Sequence, residues 1–542
     1  MSGISLVAEC LFHRWKKMKT KVLDGLVAKN VGSPEHDSRN TGIRHVGLRK
    51  TSPIGKHAVV VGAGMSGLSA AQALVNHFEE VTVLERDDLS SGALARPGVP
   101  QGKQVHGLLG GAIKALEELF PGFARDLVQA GAVAVNPGFD ILLEYPNLDP
   151  FPRSKWNWFI YSLTRPLIEL TMRRRLEQRR NVTLRGGSRA QEIVGTPDGA
   201  LVTGVRVETP DGSQETIPAD LVIDASRHGA LTSSFLSAAG QPVPEETTIG
   251  VDIRYGTGLF ALCPGALSEF KAVVTFPEAP ERVHYGYLVP VENACHQLLL
   301  VGRGEDAPPT DGRAFLDYAR NLGTPTIYDA MKGAKPLSEI ARYGFPESKW
   351  RHFGRLDRFP RGLLPTGDAI CRLNPVYGQG ITVAAQEANT LRRLLSTHTA
   401  KDPLATLAQE FLAEAEALIE QPWAISAIPD FIYPQTRGQR PEDLEYRLKS
   451  QLALTRIATR DASVYKLLAE VRHLLKPLTV LDEPELVRRV EAEMAREHYR
   501  PYSPAQSPNS QMSLIPLRGR FKFTHTLMEH PGGEFGCRRS LY

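Results

Sequence analysis

The sequence predicts an α/β fold in which a Rossmann-like dinucleotide-binding domain is interleaved with an antiparallel β-sheet domain and followed by a helical C-terminal region. Three observations carry this. An apolar strand, a glycine-rich turn, an Ala-rich helix and a second strand succeed one another over His57–Asp87. Two later segments, Asp220–Arg227 and Gly362–Ala369, return to the same style, each an apolar strand with an acid at its end. Residues 247–303 alternate in short strands, and residues 404–496 show helical periodicity.

The first stretch sets the pattern. Ala58-Val59-Val60-Val61 reads as a buried parallel strand. Gly62, Gly64 and Gly67 then fit G-x-G-x-x-G. The first glycine permits a tight turn, the second lets a pyrophosphate approach the backbone, and the third lets the helix pack against the strand. The helix runs from Ser66 to His77, and the next strand, Val81–Leu84, leads into Glu85, 23 positions after Gly62. An acid at roughly 20 residues' distance is the one that hydrogen-bonds a ribose hydroxyl.

A Gly/Pro/Ser loop comes next, Leu89–Gln104, containing Arg96-Pro97-Gly98-Val99-Pro100. Leu108, Leu109, Ile113, Leu116, Leu119 and Phe120 then recur at helical spacing until Pro121-Gly122. The helix Arg165–Arg179 has Pro166 in its first turn and arginines at its end, where cations complement the helix dipole. Strands are predicted at Val182–Leu184, Ala190–Val194, Val202–Val207 and Glu215–Ile217, separated by Pro-Asp-Gly turns. Further strands, read as an antiparallel sheet, span Thr248–Tyr255, Lys271–Phe276, Val283–Pro290 and Gln297–Gly302. Helices are expected at Asp311–Leu322, Pro325–Ala330, Thr382–Thr397, Leu404–Glu420, Asp443–Asp461, Ser463–Leu475 and Pro484–Glu497. The tail from Tyr499 lacks periodicity.

Composition narrows the function. Of 542 residues, 42% are hydrophobic and 23% charged, as in ordinary globular proteins. The net charge of +4 is concentrated in residues 1–56, where eleven Lys/Arg oppose four Asp/Glu; the rest of the chain is slightly acidic, which argues against nucleic-acid binding. Within that arm Ile4–Val22 sets Leu6, Val7, Leu11 and Phe12 beside basic residues, so peripheral membrane contact is one reading and a frayed basic end the other. Five scattered cysteines form no C-x-x-C, which points to a reducing, cytoplasmic-type compartment without disulfides or zinc. No metal-ligand cluster or nucleophile elbow stands out, so a cofactor must carry the chemistry.

Gly62–Glu85, Asp224–Arg227 and Gly367–Ile381 together resemble the class A flavoprotein monooxygenases, the p-hydroxybenzoate-hydroxylase-like FAD fold, and within it squalene-epoxidase-like and polyether-forming epoxidases. The resemblance covers about residues 56–480. It implies that Gly62, Gly64, Ser66 and Gly67 take the FAD pyrophosphate, Glu85 the ribose, and Arg86 the adenine side. Arg165 would approach the flavin from the start of its helix. Asp224 would belong to the middle FAD motif, and Gly367-Asp368 to the Gly-Asp that contacts the ribityl chain. Asn374-Pro375-Val376-Tyr377-Gly378-Gln379-Gly380, with Ile381 after it, would be the flavin loop. Pro375, Gly378, Gln379 and Gly380 would shape the reaction site, with the flavin itself as the catalytic group. Glycines there let the backbone lie against the flavin edge, and the helix N-terminus favours negative charge on the reduced ring.

Two departures stand out. Where the epoxidase-like branch has Asp-Ala-Thr-Gly-Arg, this chain has Asp224-Ala225-Ser226-Arg227-His228-Gly229, so an arginine replaces the glycine. The Gly-Asp motif precedes Ile370-Cys371 rather than the common histidine. Trp156-Asn157-Trp158-Phe159-Ile160 is close to the Trp-x-Trp-x-Ile-Pro of flavin-dependent halogenases. Tyr161 replaces the proline, however, and Val128–Asn147 lacks the lysine those enzymes need, so the aromatics are read as cavity lining or core.

The domain reading is a basic arm and linker over 1–55 and FAD-binding parts at 56–112, 161–230 and 353–398. Substrate-domain parts lie at 113–160 and 231–352, a helical region at 399–498 and a loose tail at 499–542. The function the resemblance implies is an FAD-dependent monooxygenase, an epoxidase or hydroxylase. NAD(P)H would reduce the flavin directly or through a separate reductase. A flavin C4a-hydroperoxide would then pass one oxygen atom of O2 to a small apolar alkene or ring. The alternative is a geranylgeranyl-reductase-like reductase or dehydrogenase; a halogenase or a non-catalytic FAD-binding protein ranks below both.

Overall fold

The computed structural model describes residues 53–89, 91–398 and 402–496. The expectations for the basic arm and for the tail from Tyr499 fall outside these residues. Among the described residues no helix is long and apolar enough to cross a membrane.

Five parallel strands form the first sheet, in the order Leu363–Pro365, Leu221–Asp224, Gly55–Val61, Phe78–Leu84, Val182–Arg185. Both faces are covered, so the strands read as continuous apolar runs. Ala58, Val60, Val83 and Ile223 face the main core with the helix Met65–Leu74. Val59, Val61, Val222 and Leu363 face a second core under the three-stranded sheet Arg189–Gly195, Val202–Glu208, Gln214–Pro218. The register fixes where the turns lie. Val61 is opposite both Leu84 and Asp224, and Asp224 opposite Pro365. The strands therefore end level, and the turns at Gly62, Glu85, Ala225 and Gly367 gather at one carboxyl edge, where open α/β sheets bind ligands.

The second sheet is built mainly of antiparallel strands, Cys371–Arg372, Ala341–Arg351, Glu246–Ala261, His296–Arg303, Tyr285–Pro290, Ala272–Thr275 and Ile141–Glu144, the last pair parallel. One face, with Ile253, Tyr255, Tyr285, Tyr343 and Phe345, closes onto the main core. The other, with Phe260, Leu288 and Leu300, is covered by the helices Gly312–Tyr318 and Thr326–Ala330. The strand expected at Thr248–Tyr255 extends over Glu246–Ala261, and its neighbour Ala341–Arg351 is absent from the sequence-based reading. Gly344 and Pro346 interrupt that neighbour's sequence and read as breakers. Gly344 pairs in register with Arg254, and a bulge accommodates Pro346. Pairing steps from Gly250–Glu347 to Ile253–Phe345, so Pro346, which has no N–H, falls where the ladder is already broken, and Asp252 there takes a φ of 47°.

The helix Phe123–Ala130, between Gly122 and Gly131 in left-handed conformation, is likewise unexpected from sequence, being barely two turns long. In the C-terminal region Leu444–Arg460, Ala462–Arg472 and Pro484–Met494 pack around Leu454, Leu468 and Val490, and Trp156 enters this core from far earlier in the chain.

The close approach of the first helix to its strand rests on Gly67, where an added Cβ would lie 1.8 Å from the Gly62 carbonyl oxygen. Gly67→Ala is expected to cost about 2 kcal/mol, in the range of overpacked cores, measured as a lower chemical-denaturation midpoint; an unchanged midpoint would contradict this packing.

Candidate functional site

The gathered turns define a cleft whose ends have different chemistry. At the first end Gly62 has a φ of 102°, and an added Cβ would meet the Ala225 carbonyl oxygen at 3.0 Å. Gly64 differs. The only atom within 4 Å of a Cβ built there is Arg165 Nη2, at 3.9 Å, so its outer face is open space bordered by a guanidinium. The helix starting at Met65 has no side-chain cap, which leaves its first N–H groups directed into the same space. Ser66 Oγ donates to Thr366 Oγ1 at 2.8 Å and joins this turn to one 300 residues away. These features fit a pyrophosphate.

Glu85 ends its strand with Oε2 accepting from the Ala63 N–H (3.0 Å) and Oε1 from the Asp87 N–H (3.1 Å). A carboxylate accepts about four hydrogen bonds, so capacity remains for a ribose hydroxyl. Glu85 also begins a buried chain of alternating charge. Arg96 Nη1 lies 2.7 Å from Glu85, Arg96 Nη2 donates to Glu169 at 2.8 Å, and Arg165 Nε donates to Glu169 at 2.7 Å. Burial alone would raise the Glu169 carboxyl, but Arg165 and Arg96 more than reverse this and hold it below its usual range. His106 donates from Nδ1 to the Gln104 carbonyl (2.9 Å) and turns Nε2 toward Arg165 Nη1 at 3.5 Å. Burial and the Arg165 charge push it down to about 4, so it stays neutral.

At the other end, Gly367 N–H donates to Glu387 Oε2 at 2.6 Å. Asp368 is part-exposed, and among the described residues its carboxylate makes no hydrogen bond or ion pair. Burial raises its carboxyl against the pull of Arg372, Arg165, Arg227 and Arg351. A free acid between these cations suits polyol hydroxyls. Beyond it Asn374 is fully buried, Pro375–Tyr377 forms one short turn, and Gly378 ends that turn with a φ of 73°. The helix Gly380–Thr397 starts without a side-chain cap, and a Cβ at Gly380 would meet nothing within 4 Å.

Gly62, Gly64, Ser66, Glu85, Arg165, Gly367, Asp368, Gly378 and Gly380 thus gather at this edge; Gly67 is buried behind it, and Arg165, which the resemblance directs to the flavin, stands beside Gly64. The other expected residues are placed differently. Asp224 is 0% exposed: Oδ1 accepts from Ser226 N–H (3.0 Å) and Oδ2 from Thr232 N–H (3.0 Å) and Oγ1 (2.7 Å). Its side chain shapes the turn and caps the helix Ala230–Ala238, and its complete burial turns it inward from the cleft. Arg86 is exposed beside Gly98, outside the buried chain. Ile381 packs in the core and offers the cleft only backbone. Gln379 donates away from the cleft, from Nε2 to the Arg472 carbonyl at 2.7 Å. Arg96, on a loop that the family resemblance sets beside flavin or NAD(P)H, and Glu169 and Glu387, which the sequence does not mark, all support the site; no local motif distinguishes the two acids.

The fold and cleft are those of an FAD-binding protein. The FAD dependent oxidoreductase family model matches residues 58–243. Protein Rv3254 of Mycobacterium tuberculosis (strain ATCC 25618 / H37Rv) is 32% identical over 404 residues, 71% of this chain and 83% of that protein. The chain belongs to the FAD-dependent oxidoreductase family, and it is an enzyme of that kind. Two solved structures share the fold. The p-nitrophenol 4-monooxygenase PnpA from Pseudomonas putida DLL-E4 is similar with a TM-score of 0.55 and 17% identity, over 77% of this chain and 98% of that one. The flavin-dependent brominase Bmp2, in a triple mutant, is similar with a TM-score of 0.54 and 15% identity, over 80% of this chain and 97% of that one.

The buried acids generate two expected outcomes. Glu169→Gln leaves Arg96 and Arg165 unbalanced, so FAD should bind at least about tenfold more weakly, read as fluorescence of released FAD; unchanged retention would show that the charge chain does not hold the cofactor side. Glu387 is 0% exposed with Oε1 unpartnered, and burial pushes its carboxyl up to about 8. The native state therefore keeps a proton that the unfolded chain has released, and stability from this group falls as pH rises from the ordinary carboxyl range toward about 8. Glu387→Gln should flatten the fall of melting temperature over that window, and an unaltered slope would exclude Glu387 as its source.

Proposed function

We propose that the chain is an FAD-dependent monooxygenase that places one oxygen atom of O2 on a small apolar alkene or ring, by epoxidation or hydroxylation, with electrons from NAD(P)H or a reductase. The observation that carries this reading is the way the Asn374–Gly380 loop is pressed against an aromatic sheet face. Tyr287 Oη donates to the Val376 carbonyl at 3.1 Å, and Tyr255 Oη to Asn374 Oδ1 at 3.1 Å. When bound, FAD supplies the two-electron redox chemistry and the reaction with dioxygen.

The chain's own residues supply position and environment. Arg165 and the first helix N-terminus hold the pyrophosphate, Asp368 the ribityl hydroxyls, and the Gly380 helix N-terminus offers N–H groups and dipole to negative charge on the reduced ring. Apolar walls exclude water, which strengthens these electrostatic effects. Tyr145 stacks on Phe276 at 4.3 Å, Trp158 on Trp156 at 5.3 Å, and His473 meets Trp158 edge-on at 4.8 Å. His473 stays neutral, because burial and Arg472 push it down to about 3, and its Nδ1 accepts from Gly110 N–H at 3.2 Å. Arg472, whose Nη1 donates to Tyr145 Oη at 3.4 Å, is a charge beside these rings, and the rings themselves favour an apolar substrate. Trp156 is absorbed in the C-terminal core, which supports the reading of the Trp pair as wall and packing over a halogenase motif.

Purified FAD-loaded enzyme given NAD(P)H and candidate terpenoid- or polyketide-like alkenes should consume oxygen and release products one oxygen atom heavier. Anaerobic turnover to a reduced product would instead establish the reductase reading. Gly64→Val should abolish flavin retention by filling the open face of the turn; a fully yellow variant would remove the basis of the cofactor assignment.

A further inference from the structure

The arginine that interrupts the middle motif turns to the second sheet. Arg227 Nη2 donates to Tyr343 Oη at 3.2 Å, and Arg372 Nη2 donates to the same oxygen at 3.3 Å. Two guanidinium groups thus converge on one phenol. Both are half-buried, and both lie against rings, Arg372 at 4.6 Å from the Phe345 centroid and Arg227 at 5.8 Å from that of Tyr343.

Their charges are not neutralised locally. Neither forms an ion pair among the described residues, whereas the adjacent Lys349 and Arg351 share Glu246, at 2.7 and 2.9 Å. Arg227 Nε is buried without a partner. Asp368 lies in the field of the pair, but burial outweighs the pull of Arg372, Arg165, Arg227 and Arg351 and raises its carboxyl, so it neutralises the pair poorly. His228 registers the same field, pushed down by burial and then by Arg227, Arg372, Arg351 and Lys349. Two like charges held this close, in a partly desolvated place, are favoured when an anion lies between them.

We propose that Arg227, Arg372 and Tyr343 form an oxyanion subsite at the mouth of the cofactor cleft, separate from the pyrophosphate cradle at Gly64 and Arg165. Two guanidinium forks, with a hydroxyl between them, match a group with two or more terminal oxygens. That chemistry is carried by a phosphate of a nicotinamide dinucleotide donor or by a carboxylate on the substrate. The choice of source rests on the monooxygenase reading; the subsite does not.

The test is calorimetric binding to the FAD-loaded full chain, with inorganic pyrophosphate and benzoate as probes. Wild type should bind at least one, and Arg227→Gln and Arg372→Gln should each weaken that binding about tenfold or more while retaining FAD. Arg372→Lys, which keeps the charge but loses the fork, should fall between. A response to pyrophosphate assigns the subsite to the dinucleotide; a response to benzoate alone assigns it to the substrate. Absence of binding of either probe to wild type, or loss of FAD in step with loss of probe binding in both glutamine variants, overturns the proposal, the second because the guanidiniums would then serve the cofactor.

Discussion

The flavin-facing loop depends on one buried ion pair. Arg303 Nη2 lies 2.5 Å from Asp430 Oδ1, and both side chains are almost wholly removed from solvent. Asp430 Oδ2 accepts from Asn374 Nδ2 at 2.8 Å, and Asn374 Oδ1 accepts from the Val376 N–H at 3.1 Å. Arg303 Nη1 meets the Val251 carbonyl at 3.1 Å, and its guanidinium lies 4.0 Å from the Tyr433 ring centroid. A buried ion pair contributes little net stability, but losing one partner strands a charge at a cost of about 3–5 kcal/mol. The pair thus works as a constraint: only one placement of the 374–378 turn satisfies the sheet strand, the C-terminal segment and the loop together.

The Glu85–Arg96–Glu169–Arg165 chain does the same at the opposite end of the cleft. It joins the end of a strand, the loop after it and the helix Arg165–Glu177, so Glu85 and Arg165 cannot move independently. Between these two fixed ends the parallel strands set the spacing, because their registers align all the turns at one edge. The separation of the two ends is thereby built into the sheet.

Local geometry is what the sequence makes legible. The Gly62–Gly67 turn, the acid after the second strand and the Gly367-Asp368 turn each arise from short-range backbone requirements. The parallel strands and most helices carry their own periodicity. Partnerships across long sequence gaps carry no such mark. Arg96 and Glu169 are 73 positions apart and Arg303 and Asp430 are 127, and nothing near any of them announces the other. Asp224 shows the converse failure. An acid at the end of an apolar strand looks the same whether it waits for a ribose, as Glu85 does, or turns back to Ser226 and Thr232 to build its own loop. Gly344 and Pro346 hide the strand Ala341–Arg351, because the bulge that tolerates Pro346 lies in its partner.

The C-terminal helices belong to the reaction site as much as the glycine turn does. Gly110 N–H donates to His473 Nδ1 and Gly111 N–H to the His473 carbonyl, so the start of one core helix is capped by a segment more than 360 residues later. Gln379 in the flavin loop is tied to the Arg472 carbonyl beside it. Trp156 anchors in the helical core, and Trp158, two residues on, meets His473. The same few residues therefore cap a helix that borders the cofactor, steady the loop that faces the flavin and complete the aromatic wall. A helical region with this many obligations to the cleft cannot drift from it without opening the cleft to water.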